Sequence, residues 1–182
     1  MDTDQIQYGG FWRRFAALLL DGLVLVPVSV PDVLLSHRYR LFSVYYLVPR
    51  ALFGLFYGVY LVRRYGGTPG KLIMSLRIRR VSGEAVGYRE AFLRYAPEFL
   101  FSLLLSIALI MPTLQMTDAQ YHALSFAERS KRLFDLAPGW FRPVWILQQV
   151  WMWGEFIVLL TNRKRRALHD FIAGTVVVRE PA

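Results

Sequence analysis

Long blocks of apolar residues, rather than an alternation of apolar and polar positions, set the pattern of this chain. A helix of about 20 apolar residues matches the roughly 30 Å hydrocarbon core of a bilayer. Four such blocks are present, and we predict that each forms a membrane-spanning helix. The predicted spans are residues 15–35, 44–62, 95–111 and 143–161. The expected fold class is an all-α integral membrane protein that forms a single domain over residues 1–182.

The placement of Lys and Arg predicts how these spans are oriented. Of the 22 basic residues, 15 lie before the first span, between the second and third spans (63–94) or after the fourth, and six lie on the opposite side. Only Arg50 lies inside a span. Cytoplasmic segments of membrane proteins carry an excess of Lys and Arg. The asymmetry therefore predicts that both termini and segment 63–94 are cytoplasmic and that 112–142 is an outer loop.

The segments between the spans carry their own patterns. "LRIRRV" (76–81) alternates apolar and basic residues, and "GTVVVRE" (174–180) is rich in β-branched residues, so we predict a small cytoplasmic β element that pairs the two. In "GGTPGK", Thr68 is expected as an N-cap with Pro69 at the first helical position. The outer loop is expected to form one or two short helices that begin after Thr117.

Composition narrows the class of partner. The chain is 55% hydrophobic with a formal net charge of +9, but its basic residues flank the apolar blocks instead of forming a soluble basic face. This favours contact with the lipid bilayer and its anionic headgroups over nucleic acid. The absence of cysteine excludes disulfides and cysteine-ligated zinc. The N-terminal residues include two acids and no basic n-region, which argues against a cleaved signal peptide.

Asp21 lies in the middle of the first apolar block. A carboxylate at a helix centre costs about 2.5–3.5 kcal/mol on insertion scales, and each Leu, Val or Phe contributes roughly 0.3–0.6 kcal/mol in the opposite direction. The thirteen Leu, Val and Phe residues between 15 and 35 outweigh that cost, so the span still inserts. Asp21 is then expected to face protein or water. Arg14, seven residues earlier, lies on the same helix face.

Glu98, Glu155 and Arg50 also lie in the predicted spans. Glu98 and Glu155, like Asp21, fall in the cytoplasmic half of the bilayer, whereas Arg50 lies farther out. One interpretation is structural, in which each carboxylate pairs with a nearby cation such as Arg14, Arg94 or Arg50, or with polar groups between packed helices. The other is a cation or proton site in which two close carboxylates share a proton.

His169 and Asp170 lie between apolar residues next to the predicted membrane surface. His169 could relay protons or sense pH, or the pair could cap local structure. The chain has no "HExxH", "GxSxG" or dinucleotide-binding motif, and its three histidines are scattered. We therefore expect no enzyme activity, no cofactor and no metal site.

Three segments together resemble the RDD family of membrane proteins, named for one arginine and two aspartates. They are "FWRRFAALLLDGL", "GGTPGKLIMSLRIRRVSGEAVGYREAFLRY" and "KRRALHDFIAGTVVVRE". The family arginine falls on Arg14, with Arg13 as an alternative, and the aspartates fall on Asp21 and Asp170. The resemblance implies a bacterial cytoplasmic (inner) membrane and a role in transport, without a substrate.

Two functions follow from these observations. The first is transport of ions or small solutes, including cation/proton exchange. Asp21 would be the membrane-embedded carboxylate that binds the ion, with Glu155 as a second ligand. Arg14 would tune the pKa of Asp21 or hold it in place, and Asp170 would fix the C-terminal segment. Because four helices enclose little volume, a homo-oligomer is expected. The alternative is a non-transporting membrane scaffold or accessory subunit in which the Arg/Asp set is a structural clamp.

Overall fold

The computed structural model describes residues 7–180, and most of them are helical. Four stretches are long and apolar enough to cross a membrane. They are Phe11–Arg38, Phe42–Ile73, Tyr88–Gln115 and Phe141–Thr161. Few residues of these helices are buried against protein, as expected where lipid covers the outward faces. The predicted fold class, a four-span helical membrane protein with a small β element, is confirmed.

The helices follow one another in a simple order. The first, α1, is Phe11–Arg38, and α2 is Phe42–Leu55. A π-helical turn, Phe56–Tyr60, continues α2 directly into α3, Leu61–Tyr65, and a glycine turn leads to α4, Pro69–Ile73. Next come α5, Tyr88–Gln115, the short helices α6, Asp118–His122, and α7, Phe126–Asp135, then α8, Phe141–Thr161, and α9, Leu168–Ala173.

Each predicted span lies within one of the helical stretches, and the helices extend beyond the apolar blocks. The largest extension is at the start of α5, which begins at Tyr88 rather than near residue 95. The polar first turns of α5 are helical because Glu90 accepts a hydrogen bond from the backbone N–H of Gly87, the N-cap residue, at 2.7 Å.

The two predicted strands pair as expected. Strand β1, Leu76–Arg80, runs antiparallel to β2, Thr175–Arg179, with Leu76 opposite Arg179. Leu76, Ile78 and Val177 form a buried apolar patch on one face of this sheet. Together with residues of α1, α3, α5 and the turn before α5, this patch forms a buried apolar core at one end of the long helices. The core residues are Ala17, Val62, Leu76, Ile78, Val86, Ala91 and Val177.

The four long helices have two distinct ends. We call the end that carries β1, β2 and α9 the sheet end, and the end that carries α6 and α7 the loop end. Helices α6 and α7 each begin with a side-chain cap, from Thr117 and Ser125 respectively. Tyr121 donates a hydrogen bond to the Ser36 carbonyl at 2.9 Å, which attaches α6 to the end of α1.

Candidate functional site

Asp21 is buried and receives hydrogen bonds from three directions. Its Oδ1 accepts from the Tyr57 hydroxyl at 2.6 Å and from the Gly70 backbone N–H at 2.7 Å. Its Oδ2 accepts from the Thr68 hydroxyl at 2.6 Å and lies 3.9 Å from Lys71 Nζ. We call these five residues the Asp21 cluster. The cluster joins α1 to the π-helical turn and to the start of α4.

Local sequence explains this arrangement. Pro69 begins α4, as predicted, but the Thr68 side chain bonds Asp21 instead of capping the helix. A Cβ on Gly70 would lie 2.8 Å from Asp21 Oδ1 and even closer to the Ala17 carbonyl oxygen. Only glycine therefore allows α4 to lie this close to α1. A carboxylate offers about four acceptor positions. Three are occupied here by protein donors, so Asp21 is suited to fastening α4 to α1.

Asp170 is fully buried at the sheet end, between two arginines. Its Oδ2 lies 3.1 Å from Arg14 Nη1 and accepts from the Ala167 backbone N–H at 3.0 Å. Its Oδ1 pairs with Arg94 and accepts from the Thr175 hydroxyl at 2.9 Å. We call these five residues the Asp170 cluster. It holds together α1, α5, α9 and β2, which are distant in sequence.

Nearby positive charges explain how the buried Asp170 carboxylate stays ionised away from solvent. Burial alone would raise the pKa of its carboxyl, but the charges of Arg94, His169 and Arg14, with the Ala167 N–H, hold that pKa well below its ordinary value. Arg14 is also fixed by two backbone carbonyls, those of Gly9 and Arg165. The Arg14 guanidinium therefore bonds Asp170 and two chain segments at once.

Glu155 and His169 form a third contact at the sheet end. Glu155 Oε2 lies 2.6 Å from His169 Nδ1, and Oε1 accepts from the His169 backbone N–H at 3.0 Å. Burial, followed by the charge of Arg94, lowers the pKa of His169 from its ordinary value despite the two nearby carboxylates. This contact fastens α9 to α8.

A cavity of about 410 Å³, lined by both polar and apolar residues, lies between the long helices and reaches the loop end. The residues of α5 that line the cavity recur every three or four positions from Glu98 to Thr113, and so they cover about 22 Å of that helix. Helices α1, α2, α6, α7 and α8 complete the wall. Its polar lining includes Asp32, Ser36, His37, Ser43, Arg50, Glu98, Ser102, Ser106, Thr113, Arg129, Ser130 and Gln148. We call this space the central cavity.

Most charges of the central cavity have protein partners. Arg50 lies 3.3 Å from Asp32 and also bonds Ser106. Arg129 stacks on the Tyr121 ring and is bonded to His37. Glu98 differs, because its side chain is exposed and forms no ion pair within residues 7–180. It lies one helical turn from Arg94 of the Asp170 cluster. Within the same described range, no group of three or more His, Cys, Asp or Glu side chains could hold a metal ion.

The comparison with protein families identifies this architecture. The model of the RDD family matches residues 8–174, nearly the whole chain. The chain belongs to the RDD family. A search of curated proteins finds no match. Arg14 pairs with Asp170, one of the two aspartates that the resemblance implies, and this favours Arg14 over Arg13 as the family arginine.

The structure therefore places the four charged residues of the predicted ion site in two separate regions of this RDD protein. Asp21, Glu155, Glu98 and Arg50 do not form one cluster, since the first two bind other elements at the sheet end and the last two line the central cavity. The same-face spacing predicted that Arg14 holds Asp21. In the structure Arg14 pairs with Asp170 instead. It does so because its guanidinium reaches toward the C-terminal segment.

Sequence reasoning also missed several site residues. Asp32 lies inside the first apolar block, and its charge among apolar neighbours was the signal that could have revealed it. Tyr57 and Thr68 gave no such signal, because neutral hydroxyls are common at helix starts and membrane interfaces. Their contacts with Asp21 span 36 and 47 residues of sequence.

Proposed function

We propose that this RDD protein transports a small cation across the cytoplasmic membrane, in exchange for protons, through the central cavity. Glu98 is the carboxylate that binds the ion. The observation that carries the proposal is a cavity of about 410 Å³, lined by hydroxyl, amide and charged groups, within helices that otherwise expose apolar residues. Ionisable residues within membrane spans mark ion pathways by default.

The carboxylate of Glu98 favours a cation as the substrate. The Asp32–Arg50 pair is neutral as a unit, and Arg129, which keeps its positive charge beside His37 and Tyr121, lies on α7 at the loop end. Glu98 is left as the carboxylate that attracts an ion.

The proposed orientation follows from the arginines and lysines. The sheet end carries the larger share of the basic residues and is assigned to the cytoplasm, whereas the loop end faces outward. The central cavity then opens to the outside. The Asp170 cluster closes the cytoplasmic side, one helical turn beneath Glu98, and the family residues act as a clamp that holds this floor in place.

The test is cation-driven proton movement in liposomes that contain the purified protein and a pH-sensitive dye. We expect the wild type to move protons when a gradient of a monovalent cation is imposed, and Glu98→Gln to lose that movement while it elutes from a sizing column like the wild type. Glu84→Gln is the matched control, because Glu84 is exposed in the turn after β1. Absence of proton movement for the wild type with Na⁺, K⁺ and Li⁺ alike would contradict the proposal.

The alternative is a membrane scaffold in which the Arg/Asp set is a structural clamp. The hydrogen bonds around Asp21 and Asp170 favour a clamp role for the family residues, and this role is compatible with either function. The central cavity favours transport. That the protein is not an enzyme and that it forms a homo-oligomer both remain predictions.

A further inference from the structure

A second polar feature lies at the sheet end, outside both clusters. Two adjoining hollows, of about 600 Å³ and about 390 Å³, run between the start of α1 and the end of α8. They share Phe11, Leu160 and Arg165, so they form one continuous depression. We call it the basic groove. It occupies the gap between two long helices, at the level where α1 begins and α8 ends.

Four arginines line the basic groove: Arg13, Arg163, Arg165 and Arg179. No acidic side chain lines it within residues 7–180, and none of the four forms a salt bridge in that range. Four other arginines at this end, Arg14, Arg79, Arg80 and Arg94, are paired with carboxylates. The basic groove therefore carries a concentrated positive charge that the described residues leave unneutralised.

Backbone geometry fixes one of these arginines. Arg165 has a positive φ of 48°, a conformation that side chains other than glycine rarely adopt. Its carbonyl accepts a hydrogen bond from Arg14 Nη2 at 2.7 Å, so the Asp170 cluster holds this strained turn. The Arg165 guanidinium lies against Gly10, where a Cβ would come within 2.8 Å of Nη1. The family clamp thus sets the position of a groove arginine.

The apolar side of the groove is exposed on the membrane-facing surface of the helices. Trp12 is 76% exposed and Leu160 is 64% exposed, and with Phe11 they form the apolar wall next to the arginines. Aromatic residues are enriched at the level of lipid headgroups, and basic residues at cytoplasmic helix ends attract anionic lipids. An apolar wall beside unpaired guanidinium groups matches a ligand with a phosphate and an acyl chain.

We propose that the basic groove binds an anionic phospholipid. The headgroup phosphate accepts hydrogen bonds from Arg13, Arg163 and Arg165, and the first part of an acyl chain lies on Trp12 and Leu160. A guanidinium is well suited to phosphate because it donates two parallel hydrogen bonds. The lipid would fill the gap between α1 and α8, and the site does not depend on the transport proposal.

Trp12 provides a direct readout of occupancy. The protein is placed in nanodiscs of phosphatidylcholine with a rising fraction of brominated phosphatidylglycerol, or of brominated phosphatidylcholine, and fluorescence quenching is recorded. The contribution of Trp12 is the difference between each protein and the same protein with Trp12→Phe. We expect Trp12 to be quenched at a lower fraction of the anionic lipid than of the neutral lipid.

Charge-matched double variants separate the groove from general surface charge. Arg13→Gln/Arg165→Gln removes two groove charges, and we expect the preference for the anionic lipid to fall by about tenfold or more. Arg64→Gln/Arg89→Gln removes two exposed charges elsewhere at the sheet end and should leave the preference within about twofold. Both variants are first checked for wild-type elution and unfolding temperature.

Three results would overturn the proposal. Equal quenching by the anionic and neutral lipids would mean that the groove has no preference. An equal loss in both double variants would assign the preference to diffuse surface charge. Displacement of the brominated lipid by millimolar glycerol phosphate would make the groove a site for soluble phosphate compounds and not for a lipid.

Discussion

Asp21 and Asp170 are both buried, yet they use different chemistry. Asp170 lies between two guanidinium groups, whereas Asp21 is held mainly by two hydroxyls and one backbone N–H, with Lys71 more distant. Each aspartate fastens a different segment: Asp21 fastens α4, and Asp170 fastens the C-terminal helix and strand. Asp21 and Asp170 therefore stabilise two different connections at the sheet end.

At the residue scale, Asp21→Asn is expected to destabilise the fold. An amide retains one oxygen, so it turns an NH₂ group toward at least one of the three donors, and the hydrogen bond from that donor to a carboxylate is lost. Losing a hydrogen bond to a buried charged group costs about 1–3 kcal/mol, which lowers the unfolding temperature by about 2–10 °C for a chain of this size.

Thermal unfolding in detergent, followed by tryptophan fluorescence, measures this effect. Asp118→Asn is the control, because Asp118 is exposed at the loop end and its pair with Arg40 is open to water. We expect the control to unfold at the wild-type temperature. An unchanged unfolding temperature for Asp21→Asn would contradict the fastening role.

His169 predicts a pH dependence with a definite sign. Its pKa in the folded protein is lowered below the ordinary value, so on acidification the unfolded chain takes up a proton before the folded protein does. Stability is therefore lost as the pH falls below about 6.5, by at most about 1.4 kcal/mol per pH unit from this group.

Unfolding temperatures between pH 7.5 and 5.5 test this prediction. His169→Gln should lose part of the wild-type decline, because glutamine does not titrate. His122→Gln should keep the full decline, since His122 is exposed on α6. If His169→Gln remained as sensitive to pH as the wild type, the lowered pKa would be wrong.

At the scale of elements, the attachment of α4 to α1 depends on Gly70. A methyl group at this position would meet the Asp21 carboxylate and the Ala17 carbonyl, neither of which can move freely. We expect Gly70→Ala to destabilise the protein by about 1–3 kcal/mol, the usual cost of overpacking.

Gly22→Ala is the matched control for Gly70→Ala. It adds the same methyl group within α1 at a site where no atom lies within 4 Å of the new Cβ. Helix propensity then favours alanine by up to about 1 kcal/mol, so this variant should be as stable as the wild type or more stable. Equal unfolding temperatures for the two variants would show that α4 does not need this close approach.

The elements of this fold were more predictable than their contacts. The four apolar blocks, the alternation in β1 and the β-branched run in β2 are local patterns, and each formed the predicted element. The partner of Arg14 is not local. A spacing of seven residues places Arg14 and Asp21 on one helix face but about 10 Å apart along the axis, and Asp170, 156 residues away, provides the nearer carboxylate.

The candidate site was predictable only in part for the same reason. Charges inside apolar blocks identified Asp21, Glu98, Glu155 and Arg50, because such residues are costly in lipid. How they divide between a clamp and a cavity depends on side-chain reach across helices. The central cavity itself depends on serines along one face of α5, and serine is too common in membrane helices to indicate a cavity by itself.

At the scale of the whole molecule, the account predicts which end faces outward. The natural chain has no cysteine, so single-cysteine variants carry no background reaction. Ser102→Cys lines the central cavity, and Ser82→Cys lies in the exposed turn after β1. A small, membrane-impermeant thiol reagent should modify Ser102→Cys in intact cells and Ser82→Cys only after permeabilisation. The reverse pattern would place the sheet end outside.

Clamp and cavity make separable contributions to the whole protein. In the proposed function, the clamp maintains the sheet end through Asp21 and Asp170, and the cavity carries the ion through Glu98. The two roles predict opposite defects in two carboxylate-to-amide variants that differ little in size. Asp21→Asn should lose stability and keep its flux per folded molecule, whereas Glu98→Gln should keep stability and lose its flux.

The most direct measurement is cation-driven proton flux in liposomes for Asp21→Asn and Glu98→Gln, normalised to folded protein and compared with the wild type. The account predicts that flux persists in Asp21→Asn at a temperature where it is folded and is abolished in Glu98→Gln. Flux abolished in folded Asp21→Asn and retained in Glu98→Gln would contradict it and place the transport site at the Asp21 cluster.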